Sequence, residues 1–141
     1  MLRVASTILV VVALFAVIIG IVYMAKGTLM PYHEDFLGES AMQAIAEHPT
    51  LAALATIFIR LTGTLFLSAG ILLVAVIHYG LKKNERWAWW ATLIGMGVVN
   101  GATAAITRPV GGFPWTLAMI LLVVFLFAIG LAARVVFKKA A

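Results

Sequence analysis

The sequence predicts an all-α membrane protein, four transmembrane helices in an antiparallel bundle. Three observations carry that expectation. Four apolar stretches, each long enough to cross a bilayer, occupy most of the 141 residues. The chain is 65% apolar and only 11% charged, with a mean hydropathy of +1.14, against roughly 45–50% and about 25% in soluble domains. The ten lysines and arginines gather at the ends of the apolar stretches rather than along one face. The length suits a single domain.

A crossing helix needs about 20 mostly apolar residues. The first runs from about Val4 to Met24. A signal peptide is the competing reading, but its apolar region is about 7–15 residues and ends in small residues. This stretch is longer and ends Val22-Tyr23-Met24, which predicts an uncleaved anchor. The second runs from about Leu51 to Gly80 and exceeds a minimal span, so it tilts or projects. The third runs from about Trp87 to Thr107. The fourth runs from about Phe113 to Phe137 and is entered through Pro114, tolerated where no amide partner exists.

The connections are unequal. Residues 81–86 (LKKNER) and 108–112 (RPVGG) are tight turns, so the second, third and fourth spans are expected to pack as antiparallel neighbours. Residues 25–50 form one long loop. Within it, Glu39 to His48 carries Ala41, Met42, Ile45 and Ala46 at helical spacing, which predicts a short amphipathic helix.

Lysine and arginine bias sets the expected orientation. Arg3, Lys82, Lys83, Arg86, Arg134, Lys138 and Lys139 fall on one side of a four-crossing chain. The other side has Lys26 and Arg108 beside Glu34, Asp35, Glu39 and Glu47. The positive-inside rule then places both termini in the cytoplasm and loop 25–50 outside a cell membrane. Trp87, Trp89 and Trp90 mark one interface, and Tyr23, Phe113 and Trp115 the other.

Charge inside an apolar stretch singles out Arg60. Counting about 20 residues back from Gly80 puts it near the outer edge of the hydrocarbon. Two readings stay open. The guanidinium snorkels to the headgroups, or it turns inward and pairs with Glu34 or Asp35, holding the loop over the bundle mouth. Gly63 and Thr64 follow at i+3 and i+4, with Ser68 and Gly70 beyond, a face that admits close helix approach. On the third span, Gly97 and Gly101 are four apart beside Asn100, and Ala104 and Arg108 continue that face. A buried amide requires a partner, and Thr62, Thr64, Thr103 and Arg60 are the candidates. The expected picture is a polar pocket between the second and third spans, covered by residues 31–40.

Other chemistries find little support. With no cysteine, disulfides and thiolate sites are excluded. His33, His48 and His78 lack metal-ligand spacing, and no metal site, catalytic residue or cofactor is assigned. His33 adjoins Glu34 and Asp35, which makes it the histidine suited to titrate near neutral pH. Nucleic acid is not an expected partner. The expected partners are the lipid bilayer and a membrane protein or a second copy of the chain.

Three motifs carry a resemblance. Met30-Pro31-Tyr32-His33-Glu34 with Leu37-Gly38, Arg60-x-x-Gly63, and Glu85-Arg86-Trp87-Ala88-Trp89-Trp90 resemble a group of short prokaryotic four-helix membrane proteins. These carry a YHExxLG outer loop, an RxxG in the second span and a GExWAxW turn. The similarity covers roughly residues 28–135, with Asn84 standing where the group has glycine. The resemblance implies that Tyr32, His33, Glu34 and Arg60 belong together, and it supplies no reaction. Three functions therefore compete. The first is an accessory or scaffold subunit, which predicts outward-facing small-residue surfaces. The second is a bundle, with or without an enzymatic activity, that binds a lipid, quinone, sterol or small anion. The third is an oligomeric transporter or channel protomer, weakened by the lack of inverted repeats.

Overall fold

The computed structural model describes residues 1–138, so Lys139 lies outside the described residues. Five α-helices follow one another: α1 Leu2–Lys26, α2 Pro31–Glu47, α3 Pro49–Tyr79, α4 Arg86–Thr107 and α5 Gly112–Val136. Four of them, all but α2, are long and apolar enough to cross a membrane. A single 3₁₀ turn, Leu81–Lys83, joins α3 to α4. Asn84 closes that turn at φ 66°. Asparagine tolerates the left-handed conformation better than other side chains, which explains how this chain manages without glycine there.

Residues 25–50 are more helical than the sequence indicates. Pro31 opens α2 at its first turn, and the helix continues to Glu47 through a kink at Gly38 (φ 77°, ψ 168°). The expected amphipathic segment is its second half. Ala41, Met42 and Ile45 are partly covered there, whereas Ala46 is exposed.

Inside a bilayer, lipid tails are as apolar as leucine, so packing rather than water exclusion selects helix neighbours. The α1–α3 contact illustrates this. Gly20 of α1 lies against Gly63 and Leu67 of α3, and Gly70 lies against Ala13 and Val17 of α1. Register therefore falls along α3 as it rises along α1. A Cβ on Gly20 would sit 2.5 Å from the Leu67 amide nitrogen and 2.7 Å from the Gly63 carbonyl. Both neighbours are backbone, so neither can move aside without separating the helices.

The α4 glycines behave differently. A Cβ on Gly97 would find its nearest neighbour, Phe125, at 3.9 Å, and one on Gly101 would meet nothing within 4 Å. The close approach expected at Gly97 and Gly101 is absent, because the tight seam joins α3 to α1 instead of α4. Larger side chains hold α4 and α5 together. Phe125 and Met96 are fully buried, and the Trp89 indole N–H donates to the Ile129 carbonyl at 3.1 Å. Trp89 also meets Trp90 and Phe137 edge-on at 4.8 and 5.0 Å, and the Arg86 guanidinium stands 5.9 Å over the Phe137 ring. These contacts close the end of the bundle that carries both termini. The opposite end carries α2 and is called the loop end below.

Gly20→Ala is expected to destabilise the bundle by about 1–3 kcal/mol through overpacking, whereas Gly101→Ala should lie within about 0.5 kcal/mol of the parent. Thermal unfolding in mild detergent compares the two.

Candidate functional site

The polar residues do not converge on one pocket. They fall into two groups, one at the loop-end corner of α1, α2 and α3, the other in the bundle interior on α4.

The corner begins with the end of α1. Gly27 caps this helix in the left-handed conformation (φ 61°), its amide bonded to the Tyr23 carbonyl. The Arg60 side chain lies across Gly27. A Cβ there would sit 2.6 Å from Nε and 3.2 Å from Cζ. Gly27 thus serves twice, once as a cap that favours glycine and once as the flat seat for the guanidinium. The seat also places a cation beside a helix C-terminus, where the backbone dipole favours positive charge. Arg60 remains exposed on its other side. No ion pair forms among the described residues, so neither Glu34 nor Asp35 pairs with it, and both are exposed on α2. Of the two readings the sequence leaves open for Arg60, the carboxylate pair is not formed among the described residues; the side chain lies against α1 instead.

One turn before Gly27, Tyr23 faces α2. Its hydroxyl forms a short hydrogen bond with the Tyr32 hydroxyl. Its ring meets His33 edge-on at 6.1 Å, and Tyr32 meets His33 at 4.3 Å. Burial pushes the Tyr32 phenol above its ordinary range, and the bond to Tyr23 adds to that. The Met30 amide donates to His33 Nδ1 at 3.1 Å. That bond requires an unprotonated Nδ1, which leaves the proton on Nε2. Burial also lowers the His33 pKa. Tyr32 and His33 therefore fasten the start of α2 onto the end of α1. Tyr23 completes the cluster; in the sequence it marks only an aromatic belt. Its position one turn before a glycine cap was the available signal.

In the interior, Asn100 is buried, and its amide donates to the Met96 carbonyl one turn back at 2.9 Å. None of the expected partners, Thr62, Thr64, Thr103 or Arg60, receives it. Asparagine side chains bond carbonyls of their own helix readily. Thr103 bonds the Val99 carbonyl in the same way at 2.6 Å. Thr64 bonds the Arg60 carbonyl at 3.0 Å and is exposed. Arg108 is exposed at the end of α4. Asn100 and Thr103 line a cavity between α1, α3, α4 and α5, with Val12, Ala16, Phe66 and Leu73 among its walls. Its volume is about 30 Å³, enough for a water or two and far below the roughly 300–1,000 Å³ of small-molecule pockets. A larger groove of about 330 Å³ runs between α1 and α5, but its walls are apolar apart from Thr7. Among the described residues no three histidine, aspartate or glutamate side chains gather as a metal site would need.

No family model, curated protein or solved structure matches the chain. The site is therefore read from its own chemistry.

The His33 cap gives a pH dependence of definite sign. With its folded pKa lowered from 6.5, His33 supports the fold fully above that value, and the contribution is lost as pH falls toward the folded pKa. Amide exchange in α2 should accelerate over that interval, after correction for intrinsic rates, and His33→Ala should flatten the dependence. Tyr32→Phe should cost about 0.5–1.5 kcal/mol for its lost hydrogen bond, read as a lower melting temperature.

Proposed function

We propose that the chain is a small accessory subunit of the cell membrane that assembles with another membrane protein or with a second copy of itself. It crosses four times as an antiparallel bundle, both termini cytoplasmic and residues 25–50 outside, in the manner of the four-helix group its motifs resemble.

One observation carries the assembly reading. Leu51, Leu54, Phe58, Leu61, Leu65 and Leu72 recur along α3 at alternating heptad spacing, and all are exposed, between 42% and 66%. Such spacing makes a straight seam for another helix. The buried stripe of the same helix, Ile59, Gly63, Gly70, Leu73 and Ile77, faces the bundle. Lipid can cover the seam only in part. The 31 residues of α3 measure about 46 Å, against about 30 Å of hydrocarbon. The Gly27–Arg60 contact sets the end of α1 level with Arg60. Residues 49–59 thus project about 16 Å past that level, taking Leu51, Leu54 and Phe58 toward water. Exposed apolar surface in such a place marks an interaction site.

The open surface over Gly101, with Ala102 and Ala105 exposed beside it, supports a second contact face. Binding of a lipid, quinone or sterol within the bundle has less support, since the cavity lined by Asn100 and Thr103 is too small and the groove between α1 and α5 offers no polar anchor beyond Thr7. A transport path is likewise unsupported, because Arg60 and Asn100 do not share a cavity.

Extraction from the native membrane in mild detergent, followed by native mass spectrometry, should give a fixed-stoichiometry complex. Leu54→Glu with Phe58→Glu should release a monomer of unchanged helicity, and an unaltered complex would refute the seam. The absence of cysteine makes the topology directly testable. An impermeant maleimide on intact cells should label Ser40→Cys and spare Lys83→Cys.

A further inference from the structure

The corner holds hydrogen-bond donors that no side chain of the fold engages. Arg60 carries a permanent charge and five N–H donors, and no side-chain hydrogen bond or ion pair engages them among the described residues. Its edge toward Gly27 is fixed and its other side is open. The tautomer fixed by the Met30 amide leaves His33 with an Nε2–H donor. The first turn of α2 adds the Tyr32 amide, which has no helical carbonyl to bond, and the partial positive charge of a helix N-terminus. Lys26 is exposed in the last turn of α1. Against these stand the Glu34 and Asp35 carboxylates, exposed on α2. Net charge at the corner is therefore close to balanced, and long-range attraction does not fill the site. Direct contact does.

Depth identifies the acceptor. Arg60 stands about 30 Å from the opposite end of its helix, at 1.5 Å per residue to Gly80, which is the hydrocarbon thickness. An unpaired guanidinium at that boundary meets the phosphate layer of the leaflet. Its planar fork matches two oxygens of one phosphate.

We propose that Arg60, seated on Gly27 at the end of α1, binds a phosphate group, that of a lipid headgroup on the loop side of the membrane. The site is independent of the α3 seam, since it lies on the α1 side of the helix. Inorganic phosphate shares the same chemistry, so the test separates the two sources.

Purified full-length protein in neutral detergent is titrated with phosphatidylglycerol, with diacylglycerol of the same chains, or with inorganic phosphate, and the melting temperature is followed. Phosphatidylglycerol should raise it and diacylglycerol should not. Arg60→Gln should weaken the lipid response on the order of tenfold or more, the loss expected for a charged hydrogen-bonding pair. Arg60→Lys keeps the charge without the fork and should respond in between, which guards against reading a folding defect as lost binding. A response to millimolar inorganic phosphate equal to that of the lipid would overturn the headgroup assignment in favour of a free anion. Equal responses to the two lipids, or an undiminished response in Arg60→Gln, would overturn the site altogether.

Discussion

Backbone contact between α1 and α3 organises this molecule. In a bilayer no helix pair gains from hiding leucine, so the pair that can approach most closely prevails. Gly20, Gly63 and Gly70 provide that approach. Once they meet, the register of the two helices is fixed along their length. The same register brings Gly27 under Arg60 and turns Tyr23 toward α2. The polar corner is thus a consequence of the glycine packing next to it along the two helices.

A second consequence concerns α3 itself. One of its stripes is consumed by α1, and the other is left exposed over the same length. The helix also outruns the bundle, because α1 stops at Gly27 while α3 continues to Pro49. Apolar residues therefore stand exposed beyond the end of α1. The assembly reading rests on that mismatch of lengths rather than on any catalytic group.

The spans were legible because a run of about 20 apolar residues leaves few alternatives. The first half of α2 was not. Residues Tyr32 to Leu37 carry two carboxylates and no apolar period, and Gly38 reads as an interruption. What holds that turn is its contact with Tyr23, a tertiary feature. The choice of helix neighbours was hidden for a similar reason. Gly97 and Gly101 advertise a packing motif, whereas Gly20 stands alone in a largely branched apolar run. Which glycine meets another helix depends on the whole arrangement. The level of Arg60 was readable by counting residues. Its seat on Gly27 was not, since the two are 33 positions apart and no charge pattern links them.

A chain without cysteine allows the central contact to be tested in its own membrane. Val17→Cys with Leu67→Cys joins α1 to α3, and Leu67→Cys with Gly101→Cys would join α3 to α4, with every seam glycine of α3 kept. Mild oxidation of each double variant in native membranes, followed by mobility analysis, compares the two pairings. The account predicts an intramolecular crosslink in the first and none in the second. The reverse result would mean that α3 packs its glycines on α4, and the seat of Arg60 and the free seam of α3 would both fall with it.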